Sequence, residues 1–335
     1  MSDVPNVPAM IEPGPLPDVV VVGAASRDLT PDDPRGWRLG GGVSYSALTT
    51  ARLGLRTAAL VGVDATAAAA GELDLLREAG VDVRLVPLAR GPVFDNQERP
   101  EGRLQLCHDA SDPLPVDALP AGWRAARGWI LAPVAVELPD AWAEVPDDAA
   151  TVALGWQGLL RELVPGEPVR HLRPAPHPIV RRADVVGLSG DDVERADRLV
   201  DVYAALRPGA TLAVTQGDSG GLIADGIDGG RLRLRHYPAI RSSNAIDPTG
   251  AGDVFLAALA AARIEPRLVG GRIAQGFDVL LAAAAASLVV EGAGLHGVPD
   301  RDAVRRRMAE RVVRRTGGAA RFSREDARST PERKA

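Results

Sequence analysis

Apolar and polar positions along this chain follow two periods that take turns. The ordered pattern opens at Asp18-Val19-Val20-Val21-Val22-Gly23, a continuous apolar run ended by glycine, the mark of a strand buried on both faces. Ser44 to Leu53 reads as a helix closed by Gly54, and Ala58 to Val61 as the next strand. Ala67 to Ala79, closed by Gly80, places Leu73, Leu76 and Ala79 at helical spacing, and Val81 to Val86 returns to strand. Further strands are predicted at Gly128–Leu131, Thr151–Leu154, Asp184–Leu188 and Thr211–Thr215. Helices are predicted over Asp191–Leu206, Val254–Ala262, Leu268–Val290 and from Asp300 to about Val313. Such alternation predicts a mostly parallel sheet with helices on both faces.

Three stretches break the rhythm. Residues 1–17 carry five prolines without periodicity and read as a flexible lead-in. From about Pro92 to Pro146 the chain is rich in Pro, Gly and polar residues, with Pro92–Phe94 and Arg103–Cys107 as short strands, which suggests an inserted flap. Beyond Thr316 the sequence reads as a disordered tail; residues 301–335 hold 12 basic and 5 acidic side chains, 12 − 5 = +7.

Composition narrows the function. Basic residues number 39 against 44 acidic, 39 − 44 = −5, which argues against a protein that coats nucleic acid. The single Cys107 excludes an intrachain disulfide and a cysteine metal cluster. The most span-like apolar stretch, Val279 to Val290, is too short for a membrane span, and no basic segment followed by an apolar core opens the sequence. The expectation is a soluble, cytoplasmic protein with neither membrane nor nucleic-acid partners. The only lysine is Lys334, so a Walker-type loop or a Schiff base is disfavoured.

The most informative residues are Asp247-Pro248-Thr249-Gly250-Ala251-Gly252-Asp253, directly ahead of the apolar helix. A Thr-Gly-Ala-Gly turn opening a helix gathers unpaired backbone N–H groups at the positive end of the helix dipole, a site for phosphate. Asp253 puts a carboxylate beside that site, where its use is to take a proton from a hydroxyl that attacks phosphorus. Phosphoryl transfer is therefore the first hypothesis. Two weaker segments accompany it: Gly40-Gly41-Gly42 ahead of a helix, equally a flexible connector, and Val214-Thr215-Gln216-Gly217-Asp218-Ser219-Gly220-Gly221 at a strand's carboxyl end, equally a tight turn.

Taken in order and spacing, these segments resemble the ribokinase (PfkB) family of carbohydrate kinases across roughly residues 18–312. Gly40–Gly54 with its Ala51-Arg52-Leu53-Gly54 ending resembles that family's N-terminal signature, Asp247–Asp253 its C-terminal signature, and Val214–Gly221 its nucleotide segment. The resemblance implies a three-layer α/β/α ribokinase-like fold spanning 18–314, a small β lid from about 27–40 and 88–110, and a basic tail at 315–335. It implies Asp253 as catalytic base and Gly250, Ala251 and Gly252 as the anion hole. Thr215, Gly217, Ser219 and Gly220, with Gly252, would hold ATP. Asp28, Gly41 and Gly42 would hold the acceptor, and Asp247 would help hold a monovalent cation, K+. An open lid edge leads to the expectation of a homodimer through the lid.

The sequence also departs from the family pattern. Tyr45 stands where the signature usually has Asn. The Asn-x-x-Glu motif tied to Mg²⁺ is replaced by Ser189-Gly190-Asp191-Asp192, leaving Asp192 as metal residue or as part of a helix cap. Asn96 and Arg103 in the lid are candidates to touch the acceptor, with a solvated flap strand as the alternative; Gln157 enters by its position past a strand's carboxyl end. The five histidines show no metal-ligand spacing, and Gly23-Ala24-Ala25-Ser26 is a poor dinucleotide fingerprint. The reading is an ATP- and Mg²⁺-dependent kinase for a hydroxyl of a small sugar, polyol or cyclitol. The alternatives are a nucleoside kinase of the same family, or a catalytically weakened member that binds a ligand as a regulatory protein.

Overall fold

The computed structural model describes residues 16–99, 102–194, 198–228 and 231–311. The strands in chain order are β1 (Val19–Ala24), β2 (Arg27–Leu29), β3 (Trp37–Leu39), β4 (Thr57–Val63), β5 (Asp82–Pro87), β6 (Val93–Arg99), β7 (Gly102–Asp109), β8 (Gly128–Leu131), β9 (Thr151–Gly155), β10 (Arg161–Glu162), β11 (Arg170–His171), β12 (Val185–Ser189), β13 (Thr211–Thr215), β14 (Gly221–Asp228) and β15 (Arg231–Tyr237). The helices are α1 (Gly42–Arg52), α2 (Glu72–Glu78), α3 (Pro178–Arg182), α4 (Gly190–Glu194), α5 (Leu199–Ala204), α6 (Ala251–Ile264), α7 (Phe277–Val289) and α8 over residues 301–311.

The main sheet runs β15-β14-β13-β12-β9-β8-β1-β4-β5, parallel from β13 through β5 and antiparallel at the β13–β14–β15 end. Its strands alternate between two cores. Val19, Val21, Ala59, Val61, Ile130 and Ala153 face one side, covered by α1, α2, α6 and α7. Val20, Val22, Leu60, Leu131, Val152 and Leu154 face the other, covered by α3, α5 and the turns that carry Trp123, Trp142 and Trp156. Both faces of the central strands are buried, which is why those strands are apolar, and the α/β/α fold class stands. A second, four-stranded sheet, β3-β2-β6-β7, covers the two segments expected to form the lid.

Several elements differ from the periodicity. The helix predicted over Ala67–Ala79 is a 3-10 turn, Ala67–Ala69, followed by α2, with Gly71 between them. The helix predicted over Asp191–Leu206 is two short pieces, α4 and α5, because Arg198 is extended at φ −152°. The long stretch Leu268–Val290 becomes two 3-10 turns and α7, since Gly270, Gly271 and Gly276 all take positive φ. The β14–β15 hairpin was not visible in the pattern at all. Residues 1–15 and 312–335, which hold most of the lead-in and all of the basic tail 315–335, lie outside the described residues. No helix among the described residues is long and apolar enough to cross a membrane.

Candidate functional site

The parallel strands end at one edge, and the loops that leave them converge there, as open α/β sheets require. The turn ahead of α6 is built by short-range bonds. Thr249 N–H donates to Asp247 Oδ1 at 2.9 Å, and Ala251 N–H to the Pro248 carbonyl at 3.2 Å. Gly250 then enters the left-handed region at φ 77°, ψ 0° as the N-cap of α6. Only glycine fits, for conformation and for space: a Cβ there would overlap the Tyr45 ring. No carbonyl among the described residues accepts from the N–H groups of Gly250, Gly252 or Asp253. On the side of Gly252 where a Cβ would stand, nothing lies within 4 Å. The turn is an open, positively polarised cradle at the end of a 14-residue helix.

Asp253 lies in the first turn of α6, and its carboxylate rests on Gly42, where a Cβ would stand 2.7 Å from Oδ1. The residue is half-buried and lines the cavity. Removal from bulk water pushes its pKa up from 3.8 to about 6; Arg161 pulls it back down, and Asp28 adds to the rise. Asp28 sits on β2, accepting from Ser26 Oγ at 2.9 Å, and its carboxylate occupies the space that a side chain at Gly40 would need.

These groups share a cavity of about 390 Å³, a size suited to a small acceptor and the phosphates of a donor. Asp28, Gly41, Gly42, Tyr45, Asn96, Gln157, Asp192, Thr215, Gly250, Ala251, Gly252 and Asp253 all line it. Gly217, Ser219 and Gly220 do not; they lie on the turn after β13, beyond the cavity wall. Asp247 stands behind the turn rather than in the cavity, and the Arg103 side chain lies outside the described residues. Asn96 Oδ1 accepts from Gln105 Nε2 at 2.8 Å, so the two lid strands present one amide pair to the site. Burial foremost, with Asp28, Asp247 and Asp253 nearby, holds the Tyr45 phenol well above its usual range, so it stays protonated.

Asp192 has a local structural role. Ser189 Oγ donates to Asp192 Oδ2 at 2.6 Å, and Asp192 N–H donates back to Ser189 Oγ at 3.2 Å, a reciprocal cap on α4. The carboxylate is nonetheless at the cavity wall, with His171 Nδ1 3.8 Å from Oδ1.

Sequence reasoning missed Arg161, which is 8% exposed. Its Nη1 donates to the Val134 carbonyl at 2.9 Å, its guanidinium lies 5.5 Å from the centre of the Phe94 ring, and its Nε is buried with no acceptor among the described residues. Burial works against its charge, while Asp192, Asp253, Asp28 and Glu137 support it. Glu137 was missed too. It is buried, with Oε1 accepting from Ala24 N–H at 2.8 Å and Oε2 from the N–H groups of Val134 at 3.0 Å and Ala135 at 2.8 Å. It fixes the loop that offers its carbonyl to Arg161. Nothing in the sequence marks either residue.

Residues 182–301 match the pfkB family of carbohydrate kinases. That match covers the C-terminal part of the chain, including the Asp247–Asp253 motif. A pyrophosphate-dependent kinase of the ribokinase family, solved with a pyrophosphate analogue and myo-inositol, superposes with a TM-score of 0.65 at 18% identity, over 86% of this chain and 99% of that one. Arabidopsis thaliana ribokinase with ribose and ATP gives 0.59 at 20% identity, over 88% and 99%. A Methanocaldococcus jannaschii nucleoside kinase gives 0.60 at 17% identity, over 88% and 98%. At such identities the solved structures speak for the fold. No curated protein matches the sequence. The Asp253 cradle is where the matched segment and the cavity meet.

Proposed function

We propose that this protein is a PfkB-family kinase that moves the γ-phosphoryl group of Mg·ATP to a hydroxyl of a small sugar, polyol or cyclitol. The observation that carries the reading is the placement of Asp253. A carboxylate of raised pKa stands one residue from unpaired backbone N–H groups, inside a cavity whose other wall is polar. The acceptor hydroxyl lies between Asp253 and the cradle. Asp253 takes its proton as the oxygen attacks phosphorus, and the N–H groups of Gly250–Gly252 stabilise the negative charge on the transferring group.

The acceptor meets polar groups on three sides: Asp28, the Asn96–Gln105 amide pair, and the Arg161 guanidinium on the cavity wall. Several hydroxyls on a compact molecule satisfy these; a flat apolar ligand does not. Tyr45 closes the space where relatives have a shorter amide, which disfavours a bulky acceptor near the cradle.

Among the described residues no three His, Cys, Asp or Glu side chains converge as a metal cage. Mg²⁺ would therefore arrive with the donor phosphates, with Asp192 holding it through water, and would neutralise phosphate charge. Inorganic pyrophosphate as donor is a second reading, favoured by the cavity wall reaching Thr215 but not Gly217, Ser219 or Gly220.

The test is a screen of sugars, cyclitols and nucleosides for acceptor-dependent consumption of ATP or pyrophosphate, repeated with Asp253→Asn. Phosphorylation of one acceptor by wild type, reduced at least 10³-fold in the variant, is expected for loss of the general base. Equal turnover by Asp253→Asn would overturn the assignment of the base. Binding of nucleotide or sugar without any turnover would favour a regulatory protein.

A further inference from the structure

The sequence resemblance places a monovalent cation beside Asp247, and this chain's residues do not fit one. Both carboxylate oxygens of Asp247 are already engaged. Oδ1 accepts from Thr249 N–H at 2.9 Å, and Oδ2 accepts from Gly294 N–H at 3.1 Å. Arg38 Nη1, reaching in from lid strand β3, lies 3.6 Å from the same Oδ2. A K+ site needs several oxygens turned toward one point; the groups turned toward Asp247 here are two N–H donors and a guanidinium, none of which accepts a hydrogen bond or ligates a cation. Arg38 and Tyr45 also pack around this point. A Cβ on Gly294 would stand 3.8 Å from Arg38 Cδ and 3.9 Å from Tyr45 Oη, and the Tyr45 ring fills the space against Gly250.

We infer that the Arg38 guanidinium takes the place of the monovalent cation in this protein, so that the anion-hole turn is held by an internal charge and works without K+. Arg38 is a positioning residue. It touches Asp247, which accepts from Thr249 N–H and so fixes the turn that presents Gly250–Gly252. It is only partly exposed, with a side-chain exposure of 28% against 18% for Asp247, so solvent screens the pair incompletely. Because Arg38 belongs to the lid, the same contact joins the acceptor's wall to the donor's cradle.

The activity arm of the test rests on the kinase reading, and a melting arm does not. Thermal unfolding of the full chain is measured in potassium, sodium and tetramethylammonium chloride at equal ionic strength, for wild type, Arg38→Ala and Arg38→Lys. Phosphorylation of the acceptor found by the screen is followed in the same salts. Wild type is expected to melt at one temperature and turn over at one rate in all three. Arg38→Ala is expected to lose roughly tenfold or more in kcat, less than deleting a direct anion-hole donor, and to recover part of it when low guanidinium or K+ is supplied. Arg38→Lys, which keeps the charge, is expected to retain most activity in every salt. A wild-type melting temperature that rises with K+ alone would overturn the inference even if no acceptor is ever found. So would Arg38→Ala with wild-type kcat in tetramethylammonium chloride. If Arg38→Ala does not fold, a K+ requirement in Arg38→Lys or in wild type overturns it equally.

Discussion

A general base acts only when ionised, so under the proposed mechanism the pKa of Asp253 sets the acid limit of activity. An ordinary aspartate would be ionised above about pH 4; burial pushes Asp253 up to about 6. Its folded pKa is raised, so the active, ionised form is present above about 6 and is lost as pH falls through that value. The log of kcat/KM is expected to drop with unit slope below about pH 6. Arg161 pulls the same pKa down. Arg161→Met should therefore shift the acid limb to higher pH and raise the acceptor KM, because the variant loses the guanidinium that lines the cavity. An acid limb at the same pH in Arg161→Met would show that Arg161 does not act on the base. The two residues also differ in how they could be read. Asp253 belongs to a seven-residue motif whose chemistry is local. Arg161 gains its meaning from a carbonyl 27 residues away, and Glu137 from an N–H 113 residues away, and no short pattern encodes such partners.

At the scale of elements, the turn into α6 combines conformation, packing and electrostatics in one residue. Gly250→Ala would force a left-handed φ on a residue with a Cβ and drive that Cβ into Tyr45. A stability loss of about 1–3 kcal/mol is expected from strain, with a fall in kcat of roughly 10²-fold as the cradle's N–H groups turn away. A urea melt and steady-state kinetics check both. Gly252→Ala, whose Cβ meets no atom, should melt like wild type, and an equal loss of stability there would refute the steric account. The strands of the sheet core were legible because burial on both faces makes them continuously apolar, as in β1 and β13. Helix lengths were not. Alanine, leucine and valine continue through Gly71, Gly270, Gly271 and Gly276, and periodicity cannot tell which glycines take the positive φ that ends a helix. The β14–β15 hairpin was hidden for the opposite reason: β15 reads Arg231-Leu232-Arg233-Leu234-Arg235-His236-Tyr237, an exposed edge with too little apolar content to stand out.

Across the whole molecule, two buried ionic devices brace the fold at different places, and they separate stability from activity. One is Asp278 at the start of α7, with Arg263 Nη2 at 3.2 Å and Arg263 Nη1 donating to Thr211 Oγ1 at 2.7 Å. It ties α6, α7 and β13 together at the end of α6 opposite Asp253. The other is Glu137, whose three backbone partners join β1 to the loop that carries the Val134 carbonyl and, through it, Arg161. Asp278→Ala leaves Arg263 without its buried counter-charge and should cost about 3 kcal/mol, the low end for a broken buried pair because Arg263 keeps some solvent. Glu137→Ala leaves three N–H groups short of an acceptor and should cost a similar amount, at least about 3 kcal/mol. Kinetics divide the two. Below its lowered melting temperature, Asp278→Ala should keep the wild-type kcat and acceptor KM, since α6 still carries Asp253 into an intact cavity. Glu137→Ala should raise the acceptor KM at least several-fold even where it is fully folded, because the Val134 loop no longer fixes Arg161. If both variants lose stability and neither changes KM, Glu137 is scaffold alone, and the link from the sheet to the acceptor wall through Arg161 is wrong.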